Sequence, residues 1–220
     1  MLFLILYNKI QTVLYHQPFY FASRQAHLQK NTREIAFQAK VYYNVAQKIL
    51  TGEVFTMKKL ISHPFPPLYD ENSRILILGS FPSVKSREQR FFYGHPQNRF
   101  WRVLADVLGA PVPESIPEKK DMLLTHGIAL WDSIARCEIE GSSDASIDHV
   151  VPNDLQPIFD AADIRQVFCN GKKSWEMYHK YSEARSNRPA VCLPSSSPAN
   201  ASWSFERLRE AWAAKITPYL

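Results

Sequence analysis

From Arg74 onward, apolar residues follow two alternating rhythms. Short unbroken apolar runs give way to stretches in which apolar positions return every three or four residues, which are the signatures of a buried strand and an amphipathic helix. RILILG (74–79) ends in Gly, as a strand buried on both faces should. NRFWRVLADVLG (98–109) puts Phe100, Val103, Leu104 and Val107 on one helical face, with Gly109 as its stop. A helix near Glu118–His126, the strand GIALWD (127–132), a helix near Asn153–Ala162 and the strand IRQVFCN (164–170) follow. A helix from about Lys172 to Tyr181, the strand PAVCLP (189–194) and a closing helix with an apolar stripe of Phe205, Leu208, Trp212 and Ile216 complete the order. Such alternation predicts an α/β domain, a three-layer α/β/α sandwich around a central, mostly parallel four-stranded sheet.

In such sheets ligands bind beyond the carboxyl ends of the strands. Here those ends are GSFPS, WDS, NGKKS and PSSSPAN, all rich in small and polar residues and all expected at one edge. The first opens a long segment, GSFPSVKSREQRFFYGHPQNRFW (79–101), with two Pro, four bases and six aromatics. A mere connector is usually far shorter. The pattern therefore predicts a pocket without naming its ligand.

Composition narrows the possibilities. With 220 residues, 45% hydrophobic and 21% charged, the chain can bury one sizeable core. The opening MLFLILY is broken by Asn8 and Lys9, too short to span a bilayer and without the basic lead of a signal peptide. A soluble, cytoplasmic monomer with no membrane partner is expected. Cys137, Cys169 and Cys192 are widely spaced and read as reduced core residues. No CxxC or HExxH pattern supplies a metal site, and neither a Walker nor a dinucleotide glycine pattern follows the first strand, so no cofactor is expected. GSFPS also lacks the GxSxG order of a nucleophile elbow.

Residues 1–56 carry six Lys/Arg against Glu34 and Glu53, whereas residues 57–220 carry twenty against nineteen. The first 56 lack the later alternation and read as an appendage; a start assigned upstream of Met57 would account for it. Residues 57–220 read as the functional domain, with MKKLISHPFPPLYDENS as an extended lead-in to the first strand. Within it Lys85, Arg87, Arg90, Arg99 and Arg102 face only Glu88, while residues 106–163 hold twelve acids against three bases. That asymmetry fits a positive face for a polyanion, or simply a solvated loop.

GSFPSVKSREQRFFYGHPQNRFWRVL, followed distantly by LPSSSPANA, resembles the two motif regions of the uracil-DNA glycosylase superfamily. It is most similar to the hypoxanthine-DNA glycosylase (DNA-deoxyinosine glycosylase) family, whose first motif also reads G-S-F-P-S. The likeness runs from about Leu60 to the C terminus. It implies a monofunctional enzyme that hydrolyses the N-glycosidic bond of a deaminated base in DNA, most of all hypoxanthine, and leaves an abasic site. The alternatives are a uracil- or mismatch-specific enzyme of the same superfamily, or a nucleic-acid-binding module without chemistry. A small-molecule hydrolase using the serine turn is a more distant rival.

The resemblance also implies roles. Tyr93 matches the aromatic that stacks on an extruded base, its plain alternative being a loop aromatic packed on the domain. Backbone amides of the Ser80–Ser83 turn, Ser80 and Phe81 among them, meet the leaving base's developing negative charge, with Gly79 allowing close approach. Where the mismatch branch has Asn in G-I-N-P-G and uracil enzymes have Asp, this chain has Phe81, which cannot orient water. Asn98 then positions the attacking water, since an amide can accept and donate at once; its plain alternative is a helix N-cap. Asn170 reads the base edge, with Asp132 and Ser133 as weaker candidates, and His95 reads as a turn residue. Lys85 and Ser195, Ser196 and Ser197 contact DNA, and Ala199 sits at the position of the plug that fills the vacated stack. No catalytic Lys is assigned, so strand cleavage through a Schiff base is not expected.

Overall fold

The computed structural model describes residues 58–220; the expected appendage, residues 1–56, and the start at Met57 lie outside them. ILILG forms β2 (Ile75–Gly79) at the centre of a sheet, paired in parallel with β3 (Ile128–Asp132) on one side and β6 (Gln166–Asn170) on the other. Strand β7 (Ala190–Leu193) adds beyond β6, giving the order β3-β2-β6-β7 with every pair parallel. All five residues of β2 are buried, because helices cover both faces of the sheet.

On one face Ile75, Ile77 and Leu130 pack with Phe100 and Leu104 of α2 (Phe100–Leu108), Leu123 of α3 (Ile116–Thr125) and Trp212 of α6 (Phe205–Ile216). On the other, Leu76, Leu78, Ala129 and Val167 pack with Ile158 of α4 (Gln156–Ala161) and Tyr178 of α5 (Lys172–Tyr178). Local chemistry sets the helix ends. Ser115 and Glu118 form a reciprocal capping box at the start of α3, Ser204 caps α6, and Gly109 closes α2 at φ 64°. The free thiols of Cys137 and Cys169 are buried and that of Cys192 is half-buried. Burial pushes the first two up to about 11 and about 12, far from a reactive thiolate.

Three departures from the sequence reading matter for the site. The lead-in contains β1 (Lys59–Ser62), which joins β4 (Ile134–Ile139) and β5 (Asp148–Pro152) in a second, antiparallel sheet ordered β1-β4-β5. β1 and β5 are mostly exposed, so no buried alternation marked them. The long segment after β2 is not all loop: Ser83 caps a short helix, α1 (Val84–Gln89), which Arg90 ends at φ 52°. Finally, the helix expected from Asn153 begins only at Gln156, because Asn153 turns inward and its Nδ2 donates to the Asp132 carbonyl at 2.8 Å. Among the described residues no helix is long and apolar enough to cross a membrane.

Candidate active site at the strand ends

All four strand ends of the parallel sheet open on one cavity of about 290 Å³. Gly79 to Ser83 line it after β2, Asp132 after β3, Asn170 after β6, and Ser195 to Ala199 after β7. Tyr93, His95 and Asn98 enter from the segment between α1 and α2, and Ser142 and Asp144 from the β4–β5 connection. The sequence-derived convergence is therefore realised in space.

Gly79 has no room for a side chain: a Cβ there would lie 2.1 Å from Asp132 Oδ1 and 3.1 Å from the Tyr93 hydroxyl. Close approach is the reason for glycine here, since its φ is not in the left-handed region. Tyr93 is itself held at φ 51°, a conformation that costs a non-glycine residue about 1 kcal/mol or more and collects at functional sites. One face of its ring stacks on Phe100, with centroids 3.8 Å apart and planes 15° apart. Its hydroxyl is buried and makes no hydrogen bond to the described residues. Burial first, then the charge of Asp132, hold the phenol far above its ordinary range, against a smaller opposing pull from Asn170. It stays a neutral donor.

A polar chain ties the two motif regions together. Asn170 Nδ2 donates to Ser196 Oγ at 2.8 Å, and Ser196 Oγ donates to Asn98 Oδ1 at 2.9 Å. Asn98 Oδ1 also accepts the Phe100 N–H at 2.9 Å, while the Ser196 N–H donates to Asn170 Oδ1. Asn98 thus stands one residue before the N-cap Arg99 and holds the first N–H of α2, and both lone pairs of its oxygen are occupied. This corrects the expectation that its amide accepts from water and donates at once; only Nδ2 is left for a water. Ser196 is fully buried and both its polar groups are spent inside the protein. Ser195 and Ser197 are half-buried and Ala199 is exposed at the rim.

The bases of the long segment have structural partners. Arg99 donates to the carbonyls of Ser196, Ser197, Asn200 and Trp203, clamping the serine turn. Arg87 donates to the Pro82 and Gly141 carbonyls, Arg90 to that of Pro64, and Arg102 lies over the Phe205 ring. Lys85 is exposed on α1, 2.8 Å from Glu88 and off the cavity. Ser133 is buried against Ser174 and does not reach the cavity either.

Two site residues escaped the sequence reading. Asp144 lines the cavity and accepts from Ser80 Oγ at 2.8 Å. Asp144 is exposed as a residue, yet partial desolvation of its carboxyl against the cavity wall raises its pKa, Asp132 adds to this, and the Ser80 hydroxyl and Lys173 oppose it. His63, just past β1, places Nε2 2.8 Å from Asp132 Oδ2 and Nδ1 2.8 Å from the Phe65 carbonyl. The one available signal was compositional: Asp144 belongs to the acid-rich half of the domain, and nothing distinguished His63 from an ordinary lead-in residue.

Comparison with known proteins gives a consistent picture. The family model described as Uracil DNA glycosylase superfamily matches residues 66–220. A protein of Methanosarcina acetivorans named Hypoxanthine DNA glycosylase is 37% identical over 157 residues, covering 70% of this chain and 98% of the relative. Its namesake in Methanosarcina barkeri is 36% identical over 151 residues, covering 68% and 94%. The solution NMR structure of a candidate uracil DNA glycosylase from Methanosarcina acetivorans matches with a TM-score of 0.62 and 33% identity, over 71% of this chain and 96% of that one.

Proposed function

The chain belongs to the uracil DNA glycosylase superfamily, and from that premise we propose how its residues release a deaminated base, hypoxanthine foremost, from DNA. It is a DNA glycosylase for deaminated bases, and the reading is supported above all by one observation: four strand ends, Tyr93 and Asn98 meet around a single cavity. In this reading the enzyme acts as a monomer, with residues 57–220 as the glycosylase domain.

The extruded base lies against the ring face of Tyr93 opposite Phe100. Deamination turns a ring-nitrogen acceptor and amino donor into a ring N–H donor and a carbonyl acceptor. Asp132 and the Asn170 amide line the same cavity and offer an acceptor and a donor, a set that fits the altered edge. Asn98 Nδ2 holds the oxygen of the attacking water. That oxygen bonds to the sugar C1′ as the C1′–N bond breaks; the electron pair leaves on the base nitrogen, which ends protonated, while the water gives up one proton. The sugar passes through a positively charged, oxocarbenium-like state, and the Asp144 carboxylate supplies negative charge nearby, as preorganised electrostatics require. Ser195 and Ser197 contact the DNA backbone with Ala199 as a small plug, and Lys85 adds a peripheral phosphate contact.

Oligonucleotides bearing deoxyinosine, deoxyuridine or only normal bases, incubated with the protein and treated with alkali, test this. Breaks at inosine support the reading, breaks at uracil alone move the specificity to the uracil type, and retention on gels without breaks indicates a binding module.

A further inference from the structure

The His63–Asp132 couple has a hydrogen-bond inventory that fixes more than its position. The two side chains are only 4% and 6% exposed, and aromatic rings surround the imidazole, Phe65 at 4.5 Å and Phe81 at 6.0 Å between centroids. A carbonyl oxygen can only accept, so the hydrogen between His63 Nδ1 and the Phe65 carbonyl sits on Nδ1. One further hydrogen must then lie between Nε2 and Asp132 Oδ2, or two lone pairs would face each other at 2.8 Å. That hydrogen belongs either to the imidazole or to the carboxyl. In both placements Asp132 Oδ1 carries none. This oxygen lies over Gly79, where a Cβ would sit 2.1 Å from it and 3.1 Å from the Tyr93 hydroxyl.

We propose that His63 is a specificity-determining positioning residue: by occupying Asp132 Oδ2 it leaves Oδ1 as a single hydrogen-free acceptor, matched to the ring N–H of hypoxanthine. The inference rests on the proposed placement of the base and deepens it. Adenine would bring a ring lone pair against Oδ1. Guanine shares the hypoxanthine edge and adds an exocyclic N–H₂, which a free carboxylate would grip with both oxygens; with Oδ2 held by His63, that second contact is closed. A site that leaves a polar group unpaired can discriminate steeply.

The test uses the full chain, single-turnover release from deoxyinosine DNA, and binding of oligonucleotides carrying uncleavable 2′-fluoro-deoxyinosine or 2′-fluoro-deoxyguanosine. His63→Leu should lower inosine release by roughly tenfold or more and narrow the preference for inosine over guanosine. His63→Gln, whose amide N–H can still reach Oδ2, should keep that preference. Asp132→Asn should retain more release than Asp132→Leu, because the new amide can donate to Nε2 and leave Oδ1 accepting; this pair decides the matter if His63→Leu fails to fold. Wild-type rate and preference in His63→Leu, or equal loss in the two Asp132 variants, would overturn the inference. A wild-type chain inactive on deoxyinosine would instead defeat the proposed function itself.

Discussion

Replacing Asn98 by alanine removes three things at once, and the structure allows each to be weighed. The Phe100 N–H loses its acceptor, worth about 1 kcal/mol. Buried Ser196 Oγ loses the acceptor of its hydrogen, at a cost of about 1 kcal/mol or more. Together these destabilise the domain by about 2 kcal/mol, which for a domain of this size lowers Tm by about 4–8 °C. The third loss is Nδ2, the proposed water donor, and it should reduce base release by at least about a hundredfold while DNA binding persists. Asn98→Asp separates structure from chemistry. It keeps an oxygen for both hydrogen bonds and adds a charge suited to a helix start, so its Tm should stay near that of wild type, yet it replaces the donor by an acceptor and base release should still fall. Thermal melts and single-turnover release from a deoxyinosine oligonucleotide read the two effects independently. Wild-type release by Asn98→Asp would show that the oxygen alone matters, and wild-type release by Asn98→Ala would remove Asn98 from the mechanism.

Gly79→Ala places a Cβ 2.1 Å from Asp132 Oδ1 and must swing the carboxylate off His63; a cost of about 1–3 kcal/mol is expected, with release falling at least about tenfold, measured by melts and single-turnover assay. Because partial desolvation raises the Asp144 pKa, wild-type release should decline on acidification with an inflection above the ordinary aspartate value of about 3.9, and Asp144→Asn should lose that inflection. The linked stability runs the opposite way: a carboxyl whose pKa folding raises is relatively stabilising below its ordinary pKa, and this is lost as pH rises through the folded value. Asp144→Asn should therefore gain Tm over wild type at pH 7 but not at pH 3. A chain beginning at Met57 should release hypoxanthine with kcat/KM within about twofold of the full chain; a large loss would show that residues 1–56 take part.

The parallel sheet was legible because its strands are buried on both faces and its helices carry a 3.6-residue stripe; Ile75 to Leu78 and Leu208, Trp212 and Ile216 announce their environments directly. The second sheet was not. β1 offers Leu60 to solvent at 60% exposure, so its pairing with β4 leaves no periodic trace. The site split along the same line. Residues at strand ends or in the quoted motifs, such as Gly79, Tyr93 and Asn170, follow from position. His63 and Asp144 arrive through β1 and the β4–β5 connection, elements that only tertiary pairing creates. The state of the Asn98 oxygen was equally hidden, since the sequence left it free to meet a helix N–H or a water, and only the structure shows it spent on Phe100 and Ser196.

The most informative departure is Phe81. Where the mismatch and uracil branches it resembles more distantly carry an amide or a carboxylate, this chain has a ring packed against Ile134, Cys137 and Ile139 and edge-on to His63 at 6.0 Å. The ring belongs to the apolar cluster that joins the second sheet to the first. The same sheet carries polar groups to the site: β1 leads to His63, 2.8 Å from Asp132 Oδ2, and the β4–β5 connection brings Asp144 to Ser80, next to Phe81 itself. The acidic side chains of the cavity thus stand at a neighbouring strand end, Asp132, and on an adjoining loop, Asp144. Restoring a carboxylate by Phe81→Asp would add a third negative group beside Asp132 and Asp144 and open the apolar cluster. It should therefore lower both Tm and base release rather than raise either, and a faster enzyme from that substitution would show that a carboxylate at this strand end still serves the reaction.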